Sequence, residues 1–513
     1  MSLLVTDPLR YWARNVPDER AIVFDGGDGG DGGDTVTYGE LDAWSDNVAG
    51  ALIDAGVAPG DRVGIVGPNS LEWCAAALGA LKAGAVVAAY NHRLLAPELR
   101  YLVVDSDPSL VIAAEGHRPR LEEVVAAGRP ITIFSLDVVV SLRAAPRRRV
   151  PTIAVDPDQA AVIVYTSGTT SHPKGVVFTH RTTFSFIFEW SLMEPAYQRG
   201  ARMIFVLSLG GAPGLLWAIL HMATHAGTVF LETGFEPRTT LRRLVDERIT
   251  VMMGVPMLFE QVAALPEFAS ADLSALSAVT VGGARVPLPT LEAWTAKGVA
   301  LRQIYGMTEL GGSSIGNTRE AALTRPASVG RGSMFTEHRV VRPDGTDCDA
   351  DEPGEIIVRG PSVTPGYWRN PGETAEAMRD GWFHSGDIGA FDGDGYLRVV
   401  DRLKDMIISG GYNIAPSEIE SLIQTVPGVV EVAVIAVDDA TYGETPAAIV
   451  GTSGPVDPAA VVALCRANLS GYKVPSYVVL RDEPLPRMPS GKIAKRELRV
   501  TYADLRATGT KLR

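Results

Sequence analysis

The sequence predicts an α/β protein. It has a large N-terminal domain with two mostly parallel, helix-covered sheets and a small β-rich subdomain, then a small α+β C-terminal domain. Three observations carry this. The chain has 513 residues, more than one ordinary domain holds, and its 46% hydrophobic content supplies large cores. Apolar runs of strand length alternate with amphipathic helical patterns in two stretches, before and after Pro151. Beyond residue 338 the texture changes to short strands divided by Pro-Asp-Gly, Glu-Pro-Gly and Asp-Gly-Asp-Gly turns.

Taken in order, the Asp-Gly-Gly repeat at 25–34 reads as a solvated hairpin tip between Ala21–Phe24 and Thr35–Tyr38. Its spacing is not that of an EF-hand, and no glutamate closes it. Thr37-Tyr-Gly-Glu40 is a capping box that opens a helix with Leu41, Trp44, Val48 and Leu52 on one face. Strands are expected at Val63–Val66, Ala85–Ala89 and Leu110–Ala114, with helices from Ser70 to about Ala83 and over Pro97–Asp105. The same rhythm runs from Pro151 to about residue 330. The β-rich subdomain, about 335–401, contains His338–Arg342, Glu355–Arg359 and Tyr396–Val400. The last unit has helices near Ser417–Gln424 and Pro458–Leu469, and strands near Val430–Val437, Ala447–Val450 and Tyr477–Leu480. The boundary is placed at 401–404, giving domains 1–401 and 402–513.

The totals exclude some functions. Lysines and arginines number 47 and acidic residues 60, a net charge of 47 − 60 = −13, which argues against a nucleic-acid partner. Cys74, Cys348 and Cys465 show no zinc spacing and fit a reduced compartment. The eight histidines form no metal motif. No signal peptide is read at Met1–Arg14. The most apolar run, Cys74–Tyr90, is interrupted by Lys82 and two glycines and is too short to span a membrane. A cytoplasmic protein is expected.

The chemistry concentrates first in Tyr165-Thr-Ser-Gly-Thr-Thr-Ser-His-Pro-Lys-Gly175, directly after the apolar run Ala160–Val164. Backbone N–H groups of a Gly-rich turn can form a concave anion site. Ser167, Thr169 and Thr170 add donors, and Lys174 adds a mobile point charge suited to a polyphosphate. It is not a Walker A loop, because Pro173 stands where the second glycine belongs, and no G-x-G-x-x-G follows a strand. Tyr305-Gly-Met-Thr-Glu309 packs a ring for a base, a hydroxyl for a phosphate oxygen and a carboxylate for Mg²⁺ into five residues.

The first stretch resembles the phosphate loop of the adenylate-forming superfamily: acyl-CoA synthetases, aryl-CoA ligases, firefly luciferase and peptide-synthetase adenylation domains. Ser171 replaces a usual glycine. Tyr305–Glu309, Gly381-Trp-Phe-His-Ser-Gly-Asp387, Asp401-Arg-Leu-Lys-Asp405 and Pro486-Arg-Met-Pro-Ser-Gly-Lys492 follow in the family's order. The resemblance implies ATP contacts from Thr166, Ser167, Gly168, Thr169, Thr170 and Lys174. It implies an adenine slot between Gly282-Gly283-Ala284 and Tyr305, Gly306, Met307 and Thr308. Asp387 and Arg402 would hold ribose or phosphate, and Glu309 the Mg²⁺. Lys492, with Thr166 and Glu309, would be catalytic. Lys404 would be the hinge of a mobile C-terminal domain. Ser409, Gly410 and Gly411 would line a CoA tunnel. Val281, Gly306, Met307, Gly311, Gly312 and Ser313 would border the acyl pocket, with Gly211 where a gating histidine or aromatic usually stands, which implies either a roomier pocket or a gate borrowed from another residue such as Trp217.

The expected reaction is carboxylate + ATP + CoA to acyl-CoA + AMP + pyrophosphate through an acyl-adenylate, on an apolar or aromatic monocarboxylic acid. A carrier-protein thiol could replace CoA. Two other classes stand beside it. One is a catalytically silent nucleotide-binding protein. The other is a serine hydrolase using Ser314 of Gly312-Ser-Ser-Ile-Gly316 with His338 or His384, although the strand that its elbow needs directly before the serine is interrupted.

Overall fold

A computed structural model of the chain describes residues 4–25, 33–126, 131–151, 153–166, 173–409, 412–488 and 492–512. The backbone divides into two compact units, Met1–His338 with Val358–Phe383, and Arg339–Ile357 with His384–Arg513.

The first unit holds two mostly parallel sheets. One has six strands in the order Thr132–Ser135, Leu110–Ala113, Arg62–Val66, Val86–Tyr90, Ala160–Thr166, Lys174–Thr179. All neighbours are parallel except the last pair, an antiparallel hairpin. The other has eight strands: Ile315–Gly316, Arg302–Tyr305, Ala278–Val281, Val251–Gly254, Arg202–Phe205, Thr228–Glu232, Arg20–Asp25, Asp34–Thr37. Its inner pairs are parallel and both outermost pairs antiparallel. Strands buried on both faces read as continuous apolar runs, as Val86–Tyr90 and Leu110–Ala113 do.

Local signals act where expected. The Thr37 hydroxyl accepts from Glu40 N (3.2 Å), and the Glu40 carboxylate accepts from Thr37 N (2.8 Å). Arg20–Asp25 and Asp34–Thr37 pair as a hairpin, with the repeat between them; residues 26–32 lie outside the described residues. Helix Leu71–Lys82 is buried at every position but Glu72. Its Gly79 lets helix Tyr38–Asp54 approach so closely that a Cβ would meet Val48 Cγ1 at 2.5 Å.

The second unit carries a five-stranded sheet: Tyr412–Ile414, Ile407–Ser409, Gly443–Thr452, Val429–Asp439, with Tyr477–Arg481 parallel to Gly443–Thr452. One face packs with helices Pro416–Ile423 and Pro458–Asn468, through Ile419, Ile423, Val461 and Cys465. The other packs with Leu498 and Leu505. Among the described residues, no helix is long and apolar enough to cross a membrane.

Lys82 is 0% exposed and lies 2.6 Å from Asp42 Oδ1 and 2.7 Å from Asp46 Oδ1, both on helix Tyr38–Asp54. Arg147 meets both carboxylates from the other side. Removing the ammonium leaves two buried carboxylates sharing Arg147 alone, so Lys82→Ala should lose about 3 kcal/mol of stability, read from chemical denaturation at neutral pH.

Candidate active site

In open parallel sheets, ligands settle outside the carboxyl ends of the strands. Ala278–Val281 and Arg302–Tyr305 are parallel neighbours, with Thr280 beside Arg302 and Val281 beside Gln303. Gly282-Gly283-Ala284 and Tyr305–Thr308 therefore leave adjacent strands at the same end. Gly283 has φ +84°, a left-handed conformation that glycine adopts without strain. Gly282 N donates to Gly254 O at 3.0 Å. After Tyr305 the chain folds back on itself, with Gly312 N on Met307 O and Ser314 N on Tyr305 O, both at 2.9 Å. A Cβ at Gly306 would collide with the backbone of Gly312 and Ser313. Glu309 lies in the short 3₁₀ turn Thr308–Leu310 and is 9% exposed.

In the six-stranded sheet, Thr166 and Lys174 are cross-strand partners in the antiparallel hairpin. Ser167, Gly168, Thr169 and Thr170 lie outside the described residues. Lys174 pairs with the Glu373 carboxylate, and its ammonium sits 5.0 Å from the Tyr367 ring centroid. The Tyr367 hydroxyl donates to Glu309 Oε1 at 3.0 Å. Burial, then the Glu309 charge, raises the Tyr367 pKa, so the phenol stays a donor. Segment 364–368 is sewn to this region by backbone bonds. Thr364 N donates to Glu309 O (2.8 Å), Trp368 N to Gly175 O (2.7 Å), and Tyr367 bridges Val176. Sequence reading assigned no role to Tyr367 or Glu373. Asn370-Pro371 marks the start of the short helix that carries Glu373, but nothing local reports its proximity to Lys174.

A Glu309 carboxylate oxygen is a hard donor that suits Mg²⁺. Among the described residues there is no cluster of three His, Cys, Asp or Glu side chains able to hold a metal. An ion at Glu309 would therefore take most of its ligands from phosphates and water.

Within the second unit, Asp387 and Arg402 face each other across the pair formed by Trp382–Phe391 and Leu397–Arg402. Arg402 Nε lies 3.2 Å from Asp387 Oδ1, and Asp387 is 6% exposed. The turn before it is fixed: Asp387 N donates to Ser385 Oγ (3.0 Å), and Gly386 N donates to Glu355, which also holds His384 Nδ1 at 2.8 Å. Lys492 joins this group electrostatically. The protein around its stem, then the Arg402 and Lys404 charges, hold its ammonium below the usual lysine range, with Asp387 opposing. Lys404 is likewise lowered, by desolvation and then by Arg402. Ser409 is buried and pairs with Tyr412 and Gly443; Gly410 and Gly411 lie outside the described residues.

Of the residues expected around the acyl group, Gly311 and Gly312 share an aromatic wall. Trp217 Nε1 donates to Gly311 O (3.1 Å), and a Cβ at Gly311 would touch Phe186 and one at Gly312 would touch Trp217. Ser313 O accepts from Trp190 Nε1 at 3.1 Å. Met307 is half-buried in the same turn. Val281 is placed elsewhere, packed into the second core with Val279 and Val286, whereas Phe186 and Trp217 belong to the first. Strand alternation sends its side chain to the other face of the sheet. Trp217 belongs to a π-helix, Pro213–His221, entirely buried beyond its first residue. At Gly211 a Cβ would meet nothing closer than 3.6 Å.

These environments separate two glycines. Gly306→Ala should cost about 1–3 kcal/mol by forcing the 306–313 turn apart. Gly211→Ala should stay within about 0.5 kcal/mol. Denaturation midpoints of the two variants check both.

A sequence profile of the AMP-binding enzyme family matches residues 9–368, and a profile of the AMP-binding enzyme C-terminal domain matches 418–492. The chain is 39% identical over 473 residues to feruloyl-CoA synthase of Amycolatopsis sp, covering 90% of this chain and 93% of that protein. It is 36% identical over 475 residues to the long-chain-fatty-acid–CoA ligase FadD13 of Mycobacterium tuberculosis, covering 91% and 93%. The solved structure of o-succinylbenzoate coenzyme A synthetase from Bacillus subtilis, in complex with ATP and magnesium ion, matches with a TM-score of 0.85 at 27% identity, over 96% of this chain and 99% of that one. With both profiles matched in the order in which the motifs stand, the chain belongs to the AMP-binding enzyme family, the adenylate-forming superfamily that its phosphate loop resembles.

Proposed function

We propose that this protein is an ATP-dependent acid–thiol ligase that converts a carboxylic acid, ATP and CoA into acyl-CoA, AMP and pyrophosphate. One observation carries the proposal. Lys174 and Glu309 flank Tyr367, which sets a cation suited to phosphate near a carboxylate suited to a divalent ion. Similarity to two CoA ligases along nine-tenths of the chain supports the same reaction.

In the first step a carboxylate oxygen of the acid attacks the α-phosphorus of ATP. The bond to the β-phosphate breaks, and pyrophosphate leaves. Lys174, Thr166 and the 167–170 loop would hold phosphates, and Asp387 with Arg402 the ribose. Lys492 would offset the repulsion between two anions that must meet. Mg²⁺ bound at Glu309 would neutralise the leaving pyrophosphate. In the second step the CoA thiolate attacks the acyl carbon, the bond to AMP breaks, and the thiol proton passes to solvent. Residues 402–513 would turn about Lys404 between the steps, exchanging Lys492 for Ser409–Gly411.

The acid would be a monocarboxylate with an apolar or aromatic body, in keeping with the aromatic wall of Phe186, Trp190 and Trp217 and with the feruloyl-CoA synthase relative. Cys74, Cys348 and Cys465 are all unpaired, as a reducing compartment keeps them, and a cytoplasmic location fits.

One contact favours a hydrolase instead, the 2.9 Å approach of His338 Nε2 to Ser314 Oγ. Burial pushes this histidine down to about 4, against a backbone contact with Thr336, and Ser314 is 2% exposed. The pair thus lacks both an orienting carboxylate and access. A fluorophosphonate probe should leave Ser314 unlabelled.

Mg-ATP with a panel of aromatic and aliphatic acids should release AMP in a CoA-dependent way for one acid class. No AMP with any acid, together with no ATP binding, would overturn the proposal. Lys492→Ala should lose adenylation by about a hundredfold or more, yet still convert supplied acyl-adenylate to thioester. A lysine whose pKa is lowered sheds its charge at a lower pH. The alkaline limb of kcat/KM for pyrophosphate release should therefore fall below the ordinary lysine value of 10.5, and be absent from the residual rate of Lys492→Ala.

A further inference from the structure

Lys174 and Glu309, the two groups assigned to the phosphates and the divalent ion, are each already engaged, and by neighbours from one short segment. Lys174 is paired with Glu373, with side-chain exposures of 11% and 25%. Glu309 accepts the Tyr367 hydroxyl, and the ring of that same tyrosine lies beneath the Lys174 ammonium. The segment is held firmly. Tyr367 N donates to Thr374 Oγ1 (3.0 Å), and Glu373 N donates to Asn370 Oδ1 (3.1 Å) at the start of helix Pro371–Ala377. Tyr367 also bridges Val176, on the strand that Lys174 begins. Backbone positions are therefore pinned on both sides, and the freedom that remains is in the Lys174 and Glu373 side chains.

We propose that Glu373 is a resident counter-ion for Lys174 that the phosphates of Mg-ATP displace, and that Tyr367 is a positioning residue that ties this exchange to the Glu309 carboxylate. The proposal rests on the assignment of Lys174 and Glu309 to ATP. A lysine ammonium is a compact charge on a flexible stem, so it can leave one anion for another by rotamer change alone. A carboxylate carries one negative charge and Mg-ATP a larger one, so the exchange favours a polyphosphate over a monoanion. Before ATP arrives, the pair keeps Lys174 neutralised in a partly buried place. After exchange, the Glu373 carboxylate faces incoming phosphates and weakens their binding. The Tyr367 hydroxyl on Oε1 fixes the direction in which the Glu309 carboxylate would meet the divalent ion.

The test uses the full-length protein and three measurements. In the nucleotide-free protein, acylation of Lys174 by an amine-reactive ester, followed by mass spectrometry, should be about threefold or more faster in Glu373→Gln than in the wild type. Glu373→Gln should also bind Mg-ATP about threefold or more tightly by calorimetry, with the kinetic effect falling on the KM for ATP rather than on kcat. Tyr367→Phe keeps the ring and should raise the Mg²⁺ concentration for half-maximal pyrophosphate release about tenfold, while metal-free ATP binding holds. Equal labelling and equal ATP affinity in Glu373→Gln, with only a lower Tm, would mean a purely structural ion pair and overturn the counter-ion. An unchanged Mg²⁺ dependence in Tyr367→Phe would overturn the coupling. A wild-type protein that binds no Mg-ATP would sink the ligase assignment itself. The nucleotide-free labelling comparison would still decide the Lys174–Glu373 pair.

Discussion

The grouping of Lys174, Tyr367 and Glu309 depends on the backbone contacts of segment 364–368, among them the bridge from Val176 to Tyr367 and the bonds from Trp368 N to Gly175 O and Thr364 N to Glu309 O. The strand Lys174–Thr179 is the edge of its sheet, and an unpaired edge has free N–H and C=O groups that must find partners. Segment 364–368 supplies them. In doing so it delivers a tyrosine between a lysine and a glutamate 135 positions apart in the chain, Lys174 and Glu309. The geometry of charge follows from the need to cover a strand edge. Chemistry and sheet completion are the same event here.

The second unit solves a similar problem differently. Asp387 and Arg402 lie directly opposite each other in an antiparallel ladder, so their spacing is set by backbone register rather than by side-chain fit. The turn ahead of Asp387 is braced by Glu355 and Ser385, which spend their hydrogen bonds on backbone and on His384. Such bracing is what holds a carboxylate to one direction.

Much of this was legible from local sequence, and the rest was not for a definable reason. Caps and buried strands are local: Thr37 with Glu40, Ser70 with Trp73, and the apolar run Ala160–Val164 all act within a few residues. Resemblance pointed to Asp387 and Arg402 separately, but their pairing is a register, and register needs the folded ladder. The strand Trp382–Phe391 was missed because Ser385, Gly386 and Asp387 break its apolar pattern at the point where the chain needs a polar turn of direction. Resemblance pointed to Val281 at the acyl pocket, yet its side chain packs with Val279 and Val286 in the second core, a facing that alternation along the folded strand decides. Tyr367 and Glu373 were invisible because their partners lie in distant segments that only the folded backbone brings close.

The π-helix Pro213–His221 has a consequence of its own. A π-turn takes up one more residue than an α-turn, and such segments behave as single-residue insertions into an ordinary helix. Loss of one residue upstream of Trp217 would restore the usual pitch and rotate every later side chain by about 100° about the axis. Trp217 would leave Gly311, and a different residue would take its place against that turn. Shape at this wall can thus change by insertion or deletion as readily as by substitution, a route by which related enzymes could diverge in the acids they accept while their nucleotide machinery stays untouched.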